Sequence, residues 1–277
     1  MKQADTLHVP AVSADKVRLR LAALSNRDLF DPESWPAYDL QAPAVGESDW
    51  TIDLSGLSLA DGDYEYEFVI TRNASATVVA DPMASEITRF GGYRGLLRLE
   101  GGHRIGLPTF RWDEELPAGV HLAENAELVI YELPTRWMTG DAGSRHVSLG
   151  TFDDIIFERL NELTELGVNA IELLPPADSP DTLNWGYGTR FFQAPDVDLG
   201  DPTALRLLVK RCHQRGIRVL VDIVMNHASR CPLEILARDA YFLRDGGSSG
   251  GTEAEPVGRP CLPLRHPPRR RHLLPRT

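Results

Sequence analysis

The chain has only three cysteines, Cys212, Cys231 and Cys261, far apart and with no C-x-x-C pair. That spacing argues against a zinc cluster and a disulfide framework and fits free thiols. Lysine stands only at positions 2, 16 and 210, and every other basic residue is arginine. No run is long and apolar enough to span a bilayer. The opening Met-Lys-Gln-Ala-Asp-Thr-Leu-His lacks the apolar core of a signal peptide. The expectation is a cytoplasmic protein with no membrane partner. Positive charge is also short. A net charge of -11 sets aside nucleic acid as a partner of the main body and suits a neutral substrate. Nothing here fixes the oligomeric state.

What is present divides by pattern. Up to about residue 110 the chain reads as β. Lys16–Ala22 and Asp63–Ile70 alternate with period two, the second just after an Asp61-Gly62 turn signal. Trp50–Leu54 and Tyr93–Leu99 are further short strands. Such strands, split by Gly, Pro and Asp, predict an antiparallel sandwich over 1–110. Residues 111–126 read as a linker. From 127 to 245 the pattern is strand–helix–strand–helix–strand, which predicts a parallel sheet. The strands are Leu128–Leu133, Ala170–Leu174 and 218–224. The first helix covers about 153–166, with Thr151 as N-cap, Gly167 as stop, and Ile156, Leu160, Leu163 and Leu166 on its apolar side. The second starts at Pro202 behind Asp201 and stops at Gly216.

Residues 218–227, Arg-Val-Leu-Val-Asp-Ile-Val-Met-Asn-His, are the most informative stretch. A β-branched apolar run suits a strand buried on both faces. Asp222, Asn226 and His227 then fall at or past its carboxyl end, where α/β barrels keep their sites. The segment of about 175–200, holding Asn184-Trp-Gly-Tyr-Gly-Thr-Arg-Phe-Phe, is a long aromatic loop and predicts function.

These motifs together resemble the α-amylase superfamily. Val129-Ile-Tyr-Glu-Leu is similar to that family's first barrel strand. Leu166-Gly-Val-Asn-Ala-Ile-Glu-Leu-Leu-Pro resembles the second with its lead-in, and Asn184-Trp-Gly-Tyr the loop after it. His213 through His227 resembles the third strand and the first conserved region. Asp81-Pro82 and Phe110-Arg-Trp resemble the immunoglobulin-like module that precedes barrels in glucan-branching and debranching enzymes. There are departures. Gly188 follows Tyr187 where relatives close to branching enzymes often carry Asp, and Pro134 stands where many carry His.

The resemblance implies an α/β fold: a β-sandwich followed by a partial (β/α)8 TIM barrel, and an α-glucan partner such as glycogen, starch or a maltooligosaccharide. Tyr187 would border the sugar at the cleavage point, His227 would donate to its hydroxyl, and Asp222 would orient the site. Asp222 is expected unpaired or solvated, because the arginine it meets in the family is missing. Trp185 stands between packing and ligand. No cofactor is expected, with calcium at Asn226 left open from the calcium-dependent members. Glu132 and Glu172 look like a carboxylate pair, but the family gives them no catalytic role and structural pairing is expected. In the family the catalytic Asp, Glu and Asp follow strands four, five and seven. After His227 the acids are Glu234, Asp239, Asp245, Glu253 and Glu255, in neither a Gly-x-Arg-x-Asp nor a His-Asp motif. No catalytic residue is therefore assigned. From Pro256 onward the chain holds six Arg, six Pro and no acid. The tail over 246–277 reads as a disordered arm or, as the favoured alternative, the product of a shifted reading frame. The expected function is that of a glycoside hydrolase or transglycosylase by ancestry, truncated and inactive in this chain. A glucan-binding fragment is the alternative, and a transporter-partner role is a third, less supported by the missing membrane anchor.

Overall fold

The structure, a computed structural model, describes residues 5–27, 31–88, 93–138, 150–180 and 185–242. The Arg- and Pro-rich tail and Asn184 lie outside the described residues.

Nine strands come first: β1 (Thr6–Val9), β2 (Lys16–Ala23), β3 (Ala37–Asp39), β4 (Trp50–Asp53), β5 (Gly62–Arg72), β6 (Ser75–Val79), β7 (Ile87–Thr88), β8 (Arg94–Glu100) and β9 (His103–Ile105). Seven form one antiparallel sheet in the order β3-β2-β5-β8-β7, with β6 on β5 and β9 on β8, while β1 and β4 pair separately. Period-two alternation builds the core. Tyr64, Tyr66, Phe68 and Ile70 of β5 point inward with Val17, Leu19 and Leu21 of β2, and Leu7, Val9, Trp50 and Ile52 of the β1–β4 pair close over them. The other face of β5 carries Glu65 and Glu67. It is buried too, because Arg20 and Arg94 each reach Glu67 at 2.8 Å and Arg94 lies over the Trp35 ring.

Five more strands follow: β10 (Ile130–Leu133), β11 (Ala170–Leu173), β12 (Ala177–Asp178), β13 (Phe191–Pro195) and β14 (Arg218–Val221). β10, β11 and β14 form a parallel sheet with β11 central, in a register that sets Glu132 beside Glu172 and Glu172 beside Leu220. Leu133, Ile171 and Leu173 pack one face against the helices. The first helix begins at Thr151 with a full capping box to Asp154. It runs as α1 (Phe152–Asp154), a wide π-turn at Ile155–Arg159, and α2 (Leu160–Glu165). The π-turn admits Ile155 to the buried side with Ile156, Leu160 and Leu163. Leu166, expected on that side, falls past the helix end and is exposed. In α3 (Pro202–His213) Asp201 caps Ala204 N at 2.7 Å, and Leu208 and Cys212 are buried.

Three further expectations are corrected. The 175–200 segment is not structureless, because β12 and β13 pair antiparallel within it. The residues read as a linker run along α3. Lys210 Nζ donates to Arg111 O at 2.8 Å, Gln214 Nε2 to Glu114 O at 3.0 Å, and His213 pairs with Glu115. The third parallel strand ends at Val221 rather than 224 and is not buried on both faces, since Arg218, Val219 and Leu220 are half-buried and Val221 is exposed. A helix not foreseen, α4 (Pro232–Tyr241), follows with a kink at Ala237. Leu236 and Ala237 are buried in the core of the N-terminal sheets. Leu236 O accepts from Val12 N at 2.9 Å and from Arg72 Nη2 at 3.1 Å.

Candidate functional site

The carboxyl ends of β10, β11 and β14 meet the loop that leads into β13. Asp222 is the first residue past β14, and its N–H donates to Leu173 O of β11 at 3.0 Å. Because the strand stops at Val221, the carboxylate stands at the sheet's rim, half-buried, and not inside a ladder.

Tyr187 reaches it. The phenol donates to Asp222 Oδ2 at 2.7 Å. Of the two expectations for Asp222, unpaired or solvated, the first gives way, since the phenol partners the carboxylate, while the pair remains open to solvent. His227 Nε2 donates to the Tyr187 carbonyl oxygen at 2.5 Å. With Nε2–H so used, a neutral ring leaves Nδ1 as an acceptor. Ser229 N donates to Thr189 O at 2.9 Å, zipping the two segments together one step further on. Gly188 sits in this seam. A Cβ there would lie 3.3 Å from Ser229 Cβ, which gives the departure at this position a local packing reason.

The site is electronegative. The hydrogen bond to Asp222 raises the Tyr187 phenol to about 12, helped by desolvation and by the charges of Asp222, Glu132 and Glu172. Glu132 and Glu172 lie side by side in register, and neither ion-pairs with a cation among the described residues, so the pairing expected for them is absent. Among the described residues no cluster of three or more His, Cys, Asp or Glu side chains is arranged to hold a metal. Asn226 is exposed on the loop after Asp222, with no such cluster beside it.

Trp185, two residues before Tyr187, does not join this group. Its ring meets Trp137 edge to face, with centroids 5.4 Å apart. Trp137 follows β10 directly in a short 3-10 turn, Thr135–Trp137. Nothing in the local sequence marked it, because its partner lies on another loop. The same holds for the buried pairs Asp178–Arg190 and Arg136–Asp196 that hold this rim. Arg190 also lies over the Tyr93 ring, 3.2 Å from the centroid.

Residues 130–236 match the family model of the alpha-amylase catalytic domain. The chain is 34% identical over 178 residues to the malto-oligosyltrehalose trehalohydrolase of Saccharolobus solfataricus, over 64% of this chain and 27% of that protein. It is 33% identical over 138 residues to a 1,4-alpha-glucan branching enzyme of Nitratidesulfovibrio vulgaris, over 46% of this chain and 21% of that protein. The pullulanase type I of Bacillus subtilis, solved in complex with maltose, shares the fold with a TM-score of 0.66 at 23% identity, over 94% of this chain and 37% of that one. The chain therefore spans about a quarter of the length of the curated relatives it matches.

Proposed function

Residues 130–236 belong to the α-amylase catalytic-domain family, and from that premise we propose that the chain recognises α-glucan: glycogen, starch or a maltooligosaccharide. One observation carries this reading. Tyr187, Asp222 and His227, which lie on two separate segments, are hydrogen-bonded into one constellation at the carboxyl end of a parallel sheet. A pyranose offers an apolar C–H face and a ring of hydroxyls. The exposed phenol ring suits the first. The free lone pairs of Asp222 and His227 Nδ1 suit the second.

In this reading residues 1–110 are an immunoglobulin-like module and residues 127–245 the first three strands of a (β/α)8 barrel. These 277 residues then hold sugar without cleaving it. A retaining glycosidase needs two carboxyls about 5–5.5 Å apart, one as nucleophile and one as acid/base. The resemblance places those groups after strands four, five and seven, and β14 is the third. In longer relatives the same constellation would serve hydrolysis or transfer.

Calorimetric titration of the 277-residue chain with maltoheptaose tests this. Saturable heat at millimolar ligand is expected, weakened about tenfold in His227→Ala through loss of a hydrogen bond inside the site. The absence of heat in the parent chain overturns the reading. A steady release of reducing ends during prolonged incubation would instead make the chain a hydrolase in its own right.

A further inference from the structure

We propose that Arg190 is a positioning residue, seated on the Tyr93 ring, through which the N-terminal sheets hold the loop that carries Tyr187. This rests on the glucan reading above and adds a control on the same site. Tyr93 stands directly before β8, and its side chain packs against the buried cluster of Ala84, Ile87, Phe191 and Ala194. The Arg190 guanidinium lies 3.2 Å from the Tyr93 ring centroid and 5.5 Å from that of Phe191. A flat, weakly hydrated cation suits an aromatic face, and the contact gains strength where water is excluded. Here Arg190 is buried. Tyr93 itself holds φ +59°, a left-handed backbone that is costly for a residue with a Cβ and persists only where its surroundings fix it.

The residues from Tyr187 to Arg190 divide between two neighbours. Tyr187 O and Thr189 O accept from His227 Nε2 and Ser229 N, which ties them to the segment after β14. Arg190 turns the other way. Its backbone N donates to Asp178 O at 2.7 Å and its Nε to Asp178 Oδ2 at 2.7 Å, so β12 holds it by main chain and side chain together. The Asp178 carboxylate already matches the guanidinium charge, and the Tyr93 ring is not needed for that. What the ring adds is position. It fixes the guanidinium plane against the other half of the chain, three residues from the phenol that meets Asp222. Thr189 is buried and Gly188 lies close against Ser229, so this short span has little slack to absorb a displaced Arg190. A shift of the seat is passed to Tyr187.

The test measures maltoheptaose binding to the 277-residue chain by calorimetry in two variants. Tyr93→Leu removes the ring face, and Arg190→Lys keeps a charge for Asp178 but not the flat contact. Each should weaken binding about fivefold, the worth of one ring–cation contact shielded from water. The double variant should bind no more weakly than either, because both break the same contact. Tyr93→Phe, which restores the ring face, should recover the loss. A second measurement needs no sugar. In the chain labelled with 3-fluorotyrosine, the Tyr187 fluorine signal, assigned through Tyr187→Phe, should move in Tyr93→Leu and in Arg190→Lys. If the parent chain binds maltoheptaose but that signal stays fixed, or moves with affinity unchanged, the positioning role is wrong and the glucan reading stands. Losses that multiply in the double variant would mark two separate packing defects and also overturn it. If the signal moves and the parent chain gives no heat, the hold on Tyr187 stands and the glucan reading falls. If there is neither heat nor a shift, both fall.

Discussion

Tyr187 is bonded at both ends, by its phenol to Asp222 and by its carbonyl to His227. Tyr187→Phe deletes one bond and keeps the ring. We expect a loss of about 0.5 kcal/mol in urea unfolding, the low end for a hydrogen bond because solvent reaches the pair, and a weaker response to maltoheptaose. The phenol also sets a pH dependence. Its folded pKa of about 12 lies above the ordinary 10. The bond's contribution is thus complete below about pH 10 and is lost as pH rises through about 12. Near-ultraviolet absorbance should show a late-titrating tyrosine that Tyr187→Phe removes. The three residues of this constellation were legible from the resemblance. The bond between two of them was not, because a motif records which residues stand where and not which partner replaces a missing one.

The loop between β11 and β13 is the element that decides the site. Gly186 takes φ +89°, and a Cβ there would strike the Pro175 carbonyl oxygen. Gly186→Ala should cost about 1–3 kcal/mol of backbone strain, read by urea unfolding, and should displace both flanking aromatics. The loop is anchored by Asp178, whose carboxyl burial raises to about 6 against the opposing pull of Arg190. The folded state then binds that proton more tightly than the unfolded chain. This group's contribution is full below about pH 4 and is lost as pH rises through about 6. Melting temperatures measured across that window should slope less in Asp178→Asn. Strong alternation made β2 and β5 readable, while β7 and β12, of two residues each, carry no period to read. The π-turn was invisible because period-3.6 reasoning assumes an unbroken helix. For α4 the start signal was present, Pro232 behind Cys231 with Glu234 closing a capping box, but cysteine is not a residue from which a cap is inferred.

At the scale of the whole molecule, α4 joins the two regions that the sequence presented as separate. Leu236→Ala removes a fully buried side chain from the N-terminal core and should cost about 2–5 kcal/mol, lowering the melt of the β-sheets although the residue lies far from them in sequence. The open flank of β14 is the other large-scale feature. Ile223 and Met225 are exposed, and Val221, Asp222 and Val224 border an apolar groove of about 220 Å³. An edge with no pairing strand among the described residues, beside an apolar surface, invites association. Ile223→Lys should reduce light scattering at matched concentration. Long-range packing of this kind leaves no local trace, which is why nothing in residues 1–110 announces the contact with Leu236. The α4 contact also has a consequence in time. A ribosome finishes β9 at Ile105 about 130 residues before it makes Leu236. At ~5–20 residues per second the nascent sheets wait roughly 7–26 s with a hole in their interior. Over that interval the core positions that Leu236 covers stay open to water, and translation past Leu236 closes them.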